Sequence, residues 1–306
     1  MTYSEKLIDF EKTAQALGVR TKRNEPMSAH TTFKVGGCCD IMAFVNSVES
    51  VRGLILCANA SGLEYYILGN GSNVLFSDKG FCGAIILLGA DFSDISVKDD
   101  VVTAAAGASL QRVCRRALEN SLSGMEFAYG IPGTVGGAVY MNAGAYGGEI
   151  KDIVSRVTCA NVRGEIITYK ADELDFAYRS SRFLASGEII LSADFRLQKG
   201  DPSLIKARMD ELMERRKSRQ PLEFPSAGSA FKRPEGTFAG LVIEQSGLKG
   251  YTVGGAQISE KHANFIINRG GATADDIMKL ISDVKKTVKE KTGYELECEI
   301  RIIGDY

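Results

Sequence analysis

"GIPGTVGGAVYMNAGAYGGEI" occupies residues 130–150, and seven of these 21 residues are glycine. Glycine lets the backbone adopt positive φ and lets another group approach the peptide closely, at an entropic cost in folding. A single glycine pair would indicate a tight turn between strands. Seven glycines, with rigid Pro132 and the small hydrogen-bonding residues Thr134 and Asn142 among them, favour a surface that wraps a ligand. The rest of the chain has to identify that ligand.

The composition is that of a globular protein with almost no net charge. The chain has 306 residues, 44% hydrophobic and 25% charged, which is enough for two or three compact units. Its 37 Lys and Arg nearly cancel 38 Asp and Glu, so we expect no nucleic-acid partner and no anionic membrane partner. An acidic N-terminus and the lack of any long apolar run argue against a signal peptide and a membrane span. We therefore expect a cytoplasmic protein, and no obligatory protein partner is evident.

The cysteines and histidines predict no metal site. The seven cysteines are scattered without C-x-x-C spacing, so neither a disulfide framework nor a zinc site is indicated. Reduced thiols are the simpler interpretation. Only His30 and His262 are present, which argues against a multi-histidine metal centre.

Hydrophobic periodicity and capping residues predict the main helices and strands. Residues 1–18 form an amphipathic helix in this prediction, with Leu7, Ile8, Ala14 and Leu17 toward the core. Further helices are predicted behind the N-cap residues Ser47, Ser109, Asp201 and Thr273. Strands are predicted at 64–69, 84–88, 101–107, within 153–169, at 188–197 and over the closing "YELECEIRII".

The sequence pattern changes near residue 200, where an Asp-Pro pair predicts the start of a new helix. We place a domain boundary there. The prediction is α+β throughout, with two subdomains at about 1–98 and 99–198 and a third domain at 199–306.

A second glycine cluster, "GNGSN" at residues 69–73, follows the first of these strands. Val74 stands where G-x-G-x-x-G needs its third glycine, and the next residues look extended, so a Rossmann turn is excluded. A Walker A loop fails as well, because no Lys-Ser/Thr pair follows. Backbone N–H groups with Asn70, Ser72 and Asn73 suit an anion-binding nest, or equally a structural turn.

The two glycine clusters together favour a dinucleotide. Its pyrophosphate needs N–H donors, and its ring ends need walls without bulky side chains. Two loops from separate α+β subdomains could clamp one extended cofactor.

Five motifs carry a resemblance to a known family. In order they are "LGNGSNVLFSD", "GIPGTVGGAVYMNAGAYGGEI", "YRSSRF", "GSAFKRP" and "LECEIRIIG". Together they resemble the UDP-N-acetylenolpyruvoylglucosamine reductase (MurB) family, flavoproteins of bacterial cell-wall precursor synthesis. The resemblance covers about residues 30–304.

The first two motifs are similar to the FAD-binding elements of the wider vanillyl-alcohol-oxidase group. The resemblance therefore implies an FAD-binding region of PCMH type at 1–198 and a substrate domain at 199–306, whose last strand returns toward the flavin. NADPH is implied as cosubstrate and a UDP-sugar as substrate. FAD is expected to bind non-covalently, because neither glycine segment has a His or Cys positioned to bond the flavin ring.

The resemblance also implies three catalytic residues. Arg179 in "YRSSRF" steadies the enolpyruvyl carboxylate, for which a planar and permanently charged guanidinium is suited. Ser229 in "GSAFKRP" is the proton donor. A hydroxyl is a poor acid, but hydride addition leaves a carbanion or enolate basic enough to take its proton. Glu299 in "ECEIR" works with Arg179 on the intermediate.

Alternation along the closing strand places Glu299 on a polar face. Cys298, Ile300 and Ile302 are predicted on the opposite, apolar face together with Leu296. Without the resemblance, a solvated polar face would explain the glutamates.

The remaining implied contacts form two groups. The cofactor contacts are Gly69, Asn70, Gly71, Ser72, Asn73, Pro132, Gly133, Thr134, Gly136, Gly137, Asn142 and Gly144. The substrate contacts are Tyr178, Arg219, Arg233, Lys249, His262 and Arg301. Arg219 ends a basic run at a helix C-terminus, where the helix dipole already favours cations; its position before the Ser229 loop makes it a candidate for the UDP diphosphate.

Fewer than 20 residues separate "YRSSRF" from the helix near residue 201, which is too few for the tyrosine-bearing lid of one branch of the family. The chain resembles the other branch, type II. Two alternatives stay open: an oxidase of the same flavin-binding fold acting on an alcohol or sugar, and a non-catalytic flavin- or nucleotide-binding protein.

Overall fold

The computed structural model describes residues 1–305, and within them the chain forms eight α-helices and 19 β-strands. The helices are α1 Tyr3–Ala16, α2 Val48–Ser61, α3 Leu110–Glu119, α4 Val135–Tyr140, α5 Phe183–Ser186, α6 Pro202–Arg219, α7 Ala239–Gln245 and α8 Ala274–Thr292. The strands are β1 Arg20–Pro26, β2 Cys38–Phe44, β3 Tyr65–Leu68, β4 Val74–Phe76, β5 Phe81–Leu87, β6 Ile95–Lys98, β7 Val101–Ala105, β8 Leu122–Ser123, β9 Gly144–Ala145, β10 Gly148–Glu149, β11 Val154–Ala160, β12 Ile166–Lys170, β13 Ile189–Arg196, β14 Gln198–Lys199, β15 Ser226–Ser229, β16 Thr252–Val253, β17 Ala256–Ile258, β18 Phe265–Asn268 and β19 Arg301–Ile303.

The chain divides into two compact units that are interleaved in sequence. The first unit consists of Met1–Arg23, Asp40–Asn70 and Gly83–Arg215. The second consists of Asn24–Cys39, Gly71–Cys82 and the chain from Arg216 onward. The functional division at residue 199 stays a prediction.

The first unit contains two larger sheets. One has the strand order β1-β2-β5-β3, with β3 and β5 parallel, and the other is antiparallel in the order β12-β11-β13-β7-β6. Helices α1, α2 and α3 contribute to its core. In α1 the buried residues are Leu7, Phe10 and Ala14, whereas Ile8 is 43% exposed. The prediction that Ile8 faces the core is wrong, because the stripe follows the i, i+3, i+7 spacing from Leu7.

The capping residues act as the sequence indicates. Ser47, Ser109 and Thr273 each accept a hydrogen bond from the backbone amide three residues ahead. Asp201 Oδ1 accepts from the Ser203 amide at 2.7 Å, just before α6. These four helix starts are confirmed.

The second unit contains an antiparallel sheet in the order β15-β18-β17-β16 and a separate parallel pair, β4 with β19. Helix α8 contributes the predicted apolar stripe to its core. The stripe consists of Ile277, Leu280, Ile281, Val284 and Val288, all buried.

The closing strand is shorter than predicted. The chain first runs beside residues 230–232: Glu299 N donates to Ala230 O at 2.8 Å and Lys232 N to Glu297 O at 2.9 Å. It then changes partner, and β19 pairs with β4. The change shifts the alternation, so that Ile302 is 41% exposed, and its predicted place on the apolar face is wrong.

Between Phe183 and Pro202 the chain passes through α5, β13 and β14 directly into α6, with no room for a lid insertion in this described stretch. Among residues 1–305, no helix is long and apolar enough to cross a membrane.

Candidate active site

The two glycine segments lie side by side in the first unit. Asn70 Nδ2 donates to the carbonyl of Pro132 at 2.7 Å. A Cβ at Gly69 would overlap the hydroxyl of Thr134, so only glycine permits this approach. The structure thus brings the end of β3 together with the segment that leads into α4.

Helix α4 contains two adjacent glycines with different surroundings. Gly136 N donates to Ala106 O at 2.8 Å, and a Cβ there would lie 3.0 Å from Ala106 Cβ, so this glycine allows close packing inside the protein. Gly137 is exposed, and a Cβ there would meet nothing nearer than Thr134 Oγ1 at 3.6 Å. The open surface beside Gly137 is one that a flat or extended ligand can cover. The fit is that expected for FAD.

The remainder of the "GNGSN" cluster belongs to the second unit. Gly71 has φ +60°, and a Cβ there would overlap the carbonyl of His30. Thr32 N donates to Gly71 O at 3.1 Å. His30 Nε2 in turn lies 2.8 Å from Glu25 Oε1. The loop is therefore fixed by its contacts with the segment at residues 30–32.

Ser229 ends β15, at an irregularity of the sheet. Ser226 pairs with Ile267 and Ser229 with Phe265, with a register shift between them. Gly228 has φ +74° in this shift. A bulge of this kind re-aims the following side chain and is frequent beside active sites.

Ser229, Glu299 and Asn73 are brought together in the second unit. The amide of Glu299 bonds to the carbonyl of Ala230, the residue after Ser229. Asn73 Nδ2 donates to Glu299 O at 3.2 Å, and Arg301 N donates to Asn73 O at 3.0 Å. The predicted proton donor, the predicted catalytic carboxylate and one loop asparagine thus share one backbone network.

Arg179 belongs to the first unit. It has φ +54°, and its Nη2 donates to Gly144 O at 3.4 Å. Its guanidinium carbon lies 5.1 Å from the ring centroid of Tyr178, which is itself exposed. Arg179 therefore lies beside the glycine-rich segment.

Three of the predicted substrate contacts, Arg233, Lys249 and His262, lie near α7. Arg233 stacks over Phe238 at 4.5 Å, and Lys249 Nζ pairs with Glu244 Oε1 at 2.6 Å. Burial lowers the pKa of His262, whose Nδ1 accepts from the Asn264 amide at 3.2 Å. A neutral His262 with its proton on Nε2 can donate one hydrogen bond to a ligand.

Arg219 is exposed in the last turn of α6, and Arg301 is half-buried in β19. The substrate roles of these residues stay predictions.

Sequence reasoning missed two residues that hold the serine strand in place. Thr32 Oγ1 donates to Ser226 O at 2.6 Å. Asn264 Oδ1 accepts from Phe231 N at 3.0 Å, and its Nδ2 donates to Phe231 O at 2.9 Å. Neither shows a local sequence signal, because each bridges segments distant in the chain.

Two family models match the chain. The description "FAD binding domain" matches residues 39–170, and "UDP-N-acetylenolpyruvoylglucosamine reductase, C-terminal domain" matches residues 220–303. A UDP-N-acetylenolpyruvoylglucosamine reductase of Clostridium novyi is 51% identical over 97% of both chains. The chain belongs to the UDP-N-acetylenolpyruvoylglucosamine reductase family.

A solved structure supports the same membership. The crystal structure of UDP-N-acetylenolpyruvylglucosamine reductase (MurB) from Thermus caldophilus is 36% identical, with a TM-score of 0.80 over 94% of this chain and 99% of that one. The glucooligosaccharide oxidase of Acremonium strictum matches at 15% identity and a TM-score of 0.50, over 95% of this chain and 60% of that one. That likeness is one of fold alone. The predicted α+β class with an FAD-binding fold is confirmed.

Proposed function

We propose that this chain is an FAD-dependent reductase that uses NADPH to convert UDP-N-acetyl-3-O-(1-carboxyvinyl)-glucosamine to UDP-N-acetylmuramate, in peptidoglycan precursor synthesis. Full-length identity of 51% to a reductase of this family carries the proposal. The adjoining glycine segments and the shared network of Ser229 and Glu299 support it from the structure. The cofactor contacts are those predicted above apart from the Asn142 side chain, which is buried and hydrogen-bonded inside the protein, with the exposed surface at Gly137 as the part that the ligand covers.

FAD held at the two glycine segments would supply the hydride-transfer chemistry between NADPH and the vinyl carbon of the substrate. The chain itself supplies orientation, fixed charge and one proton. The Arg179 guanidinium pairs with the substrate carboxylate, where negative charge grows as the hydride arrives. The Ser229 hydroxyl gives its proton to the carbon next to the carboxylate, which completes the reduction. Glu299 acts on the same intermediate from the strand beside Ser229.

The proposed substrate contacts are Arg233, Lys249, His262, Arg301, Tyr178 and Arg219. Their donors suit a nucleoside diphosphate sugar, whose diphosphate accepts charge-assisted hydrogen bonds. Both small-molecule partners, the UDP-sugar and NADPH, place the enzyme in the cytoplasm in this proposal. Nothing in the proposed reaction calls for a nucleic acid, a membrane or a second protein.

The visible spectrum of the purified protein tests the proposal. We expect flavin bands that bleach on anaerobic addition of NADPH and return when the enolpyruvyl UDP-sugar is added. Denaturation should release all of the flavin into the supernatant, since binding is non-covalent. Reoxidation by oxygen after an alcohol or sugar has served as donor would instead support an oxidase. Flavin without turnover on any enolpyruvyl donor would support a binding protein.

Arg219→Ala should raise the KM for the UDP-sugar more than it lowers kcat. A diphosphate contact is made equally in the ground state and the transition state, so its loss weakens binding and leaves the chemical step in place. Steady-state kinetics with varied UDP-sugar at saturating NADPH would measure both constants.

Lys217→Ala is the matched control. Lys217 is also exposed in the last turn of α6, and its replacement removes the same charge from the helix end. An unchanged KM in Arg219→Ala would show that Arg219 makes no contact with the diphosphate and interacts favourably only with the helix dipole.

A further inference from the structure

Asn142 lies at the centre of a hydrogen-bond cluster that includes the base of the turn carrying Arg179. Its side chain is fully buried, at 0% exposure, and its φ is +41°. Nδ2 donates to Ala177 O at 3.0 Å and to Glu149 Oε2 at 3.1 Å, while Oδ1 accepts from Lys151 N at 3.0 Å. Both amide protons and the amide oxygen are therefore engaged inside the protein.

Ala177 is the base of the turn that carries Arg179. Ala177 N donates to Ser180 O at 3.1 Å and Ser180 N to Ala177 O at 3.2 Å, leaving Tyr178 and Arg179 at the tip. On the far side of the turn, the buried hydroxyl of Ser181 donates to Tyr140 O at 2.7 Å. One side-chain hydrogen bond at each end thus fastens the turn to the glycine-rich segment.

Charge reinforces the same arrangement. Glu149 pairs with Lys151 Nζ at 2.8 Å. The hydrogen bond from Lys151 lowers the pKa of Glu149, and Asn142 and the charge of Arg179 act in the same direction. Glu149 is therefore ionised at neutral pH and attracts Arg179 toward the segment.

We infer that Asn142 and Ser181 are positioning residues that hold Arg179 in place against the glycine-rich segment, and that the Asn142 side chain is not a cofactor ligand. The inference rests on the proposed function, in which Arg179 meets the substrate carboxylate. Glycine would satisfy the positive φ at residue 142 but would supply none of the three hydrogen bonds. A displacement of about 1 Å in a catalytic group can cost about 10²-fold in rate.

Asn142→Gly removes the side chain and tolerates the backbone conformation. We expect unchanged flavin content and flavin affinity, a near-normal rate of bleaching by NADPH, and reoxidation by the enolpyruvyl substrate slowed by about 10²-fold. Ser181→Ala should give a smaller loss of the same kind, and it serves if Asn142→Gly does not fold. Asn24→Gly is the matched control, because Asn24 also has positive φ, at +51°, but is exposed.

A double-mutant cycle separates positioning from general damage. In an Arg179→Ala background, Asn142→Gly should add little further loss, because the residue that it positions is gone. Additive losses, or a weakened flavin affinity in Asn142→Gly, would overturn the inference.

Hydrogen exchange on the apoprotein gives a readout that needs neither cofactor nor turnover. Asn142→Gly should speed hydrogen exchange at residues 177–181, whereas the Asn24→Gly protein should exchange like wild type. Unchanged exchange in that segment would contradict the positioning role. If instead wild-type protein failed to reoxidise with the enolpyruvyl substrate, the proposed function would fail, while the exchange result would still decide whether Asn142 holds the turn.

Discussion

Gly137→Val should give a folded protein that retains no FAD. The valine side chain would occupy the surface that we assign to the cofactor, while a Cβ at this position meets protein atoms only at 3.6 Å. The apoprotein has room for the substitution, and the holoprotein does not. Flavin absorbance per mole of purified chain measures the retention, and thermal unfolding of the apoprotein measures the fold.

Gly136→Val is the matched comparison for this experiment. Its Cβ would lie 3.0 Å from Ala106 Cβ and 3.3 Å from Ala106 O, so the apoprotein itself should be destabilised and its Tm lowered. Full flavin occupancy in Gly137→Val would refute the assignment of this surface to FAD.

Ser229→Ala should divide the reaction into an intact half and a disabled half. Transfer of hydride from NADPH creates no substrate carbanion and does not use the hydroxyl, so bleaching should proceed at a near-normal rate. Reoxidation by the enolpyruvyl substrate needs the proton, and losing a positioned proton donor costs about 10²- to 10⁴-fold. Stopped-flow absorbance at the flavin band would follow both steps in one sample.

Ser203→Ala, which removes an exposed hydroxyl on α6, is the control and should leave both steps unchanged. Equal slowing of both halves in Ser229→Ala would mean that Ser229 shapes the site generally. Normal reoxidation would remove its hydroxyl from the chemistry.

Local signals predict the parts of the fold that are decided locally. The Thr273 cap and the stripe of α8 depend on residues within a few turns of one another, and both are found. The end of the chain depends on a change of partner from residues 230–232 to β4, which no local pattern shows. Helix α4 escaped prediction because its two adjacent glycines have low helix propensity, and burial of Val135 and Val139 overrides that preference.

The candidate site also combines features that local sequence predicts with features that depend on the folded chain. Glycine content and the ordered motifs predict which segments meet the cofactor, and Asn70 and Pro132 do lie in contact. Residue type alone could not predict that Asn142 turns its amide away toward Ala177 and Glu149. The hydroxyl of Thr32 reaches Ser226, 194 residues away, and such a pairing exists only in the folded chain.

The interleaved second unit has a consequence for biosynthesis. Strand β4 leaves the ribosome more than 200 residues before its partner β19. At translation rates of about 5–20 residues per second, β4 waits at least about 10 s with its pairing edge unfilled. During that interval Leu75, buried in the finished core, has no core to enter. The topology therefore leaves this early segment without its strand partner until the end of the chain has been synthesised.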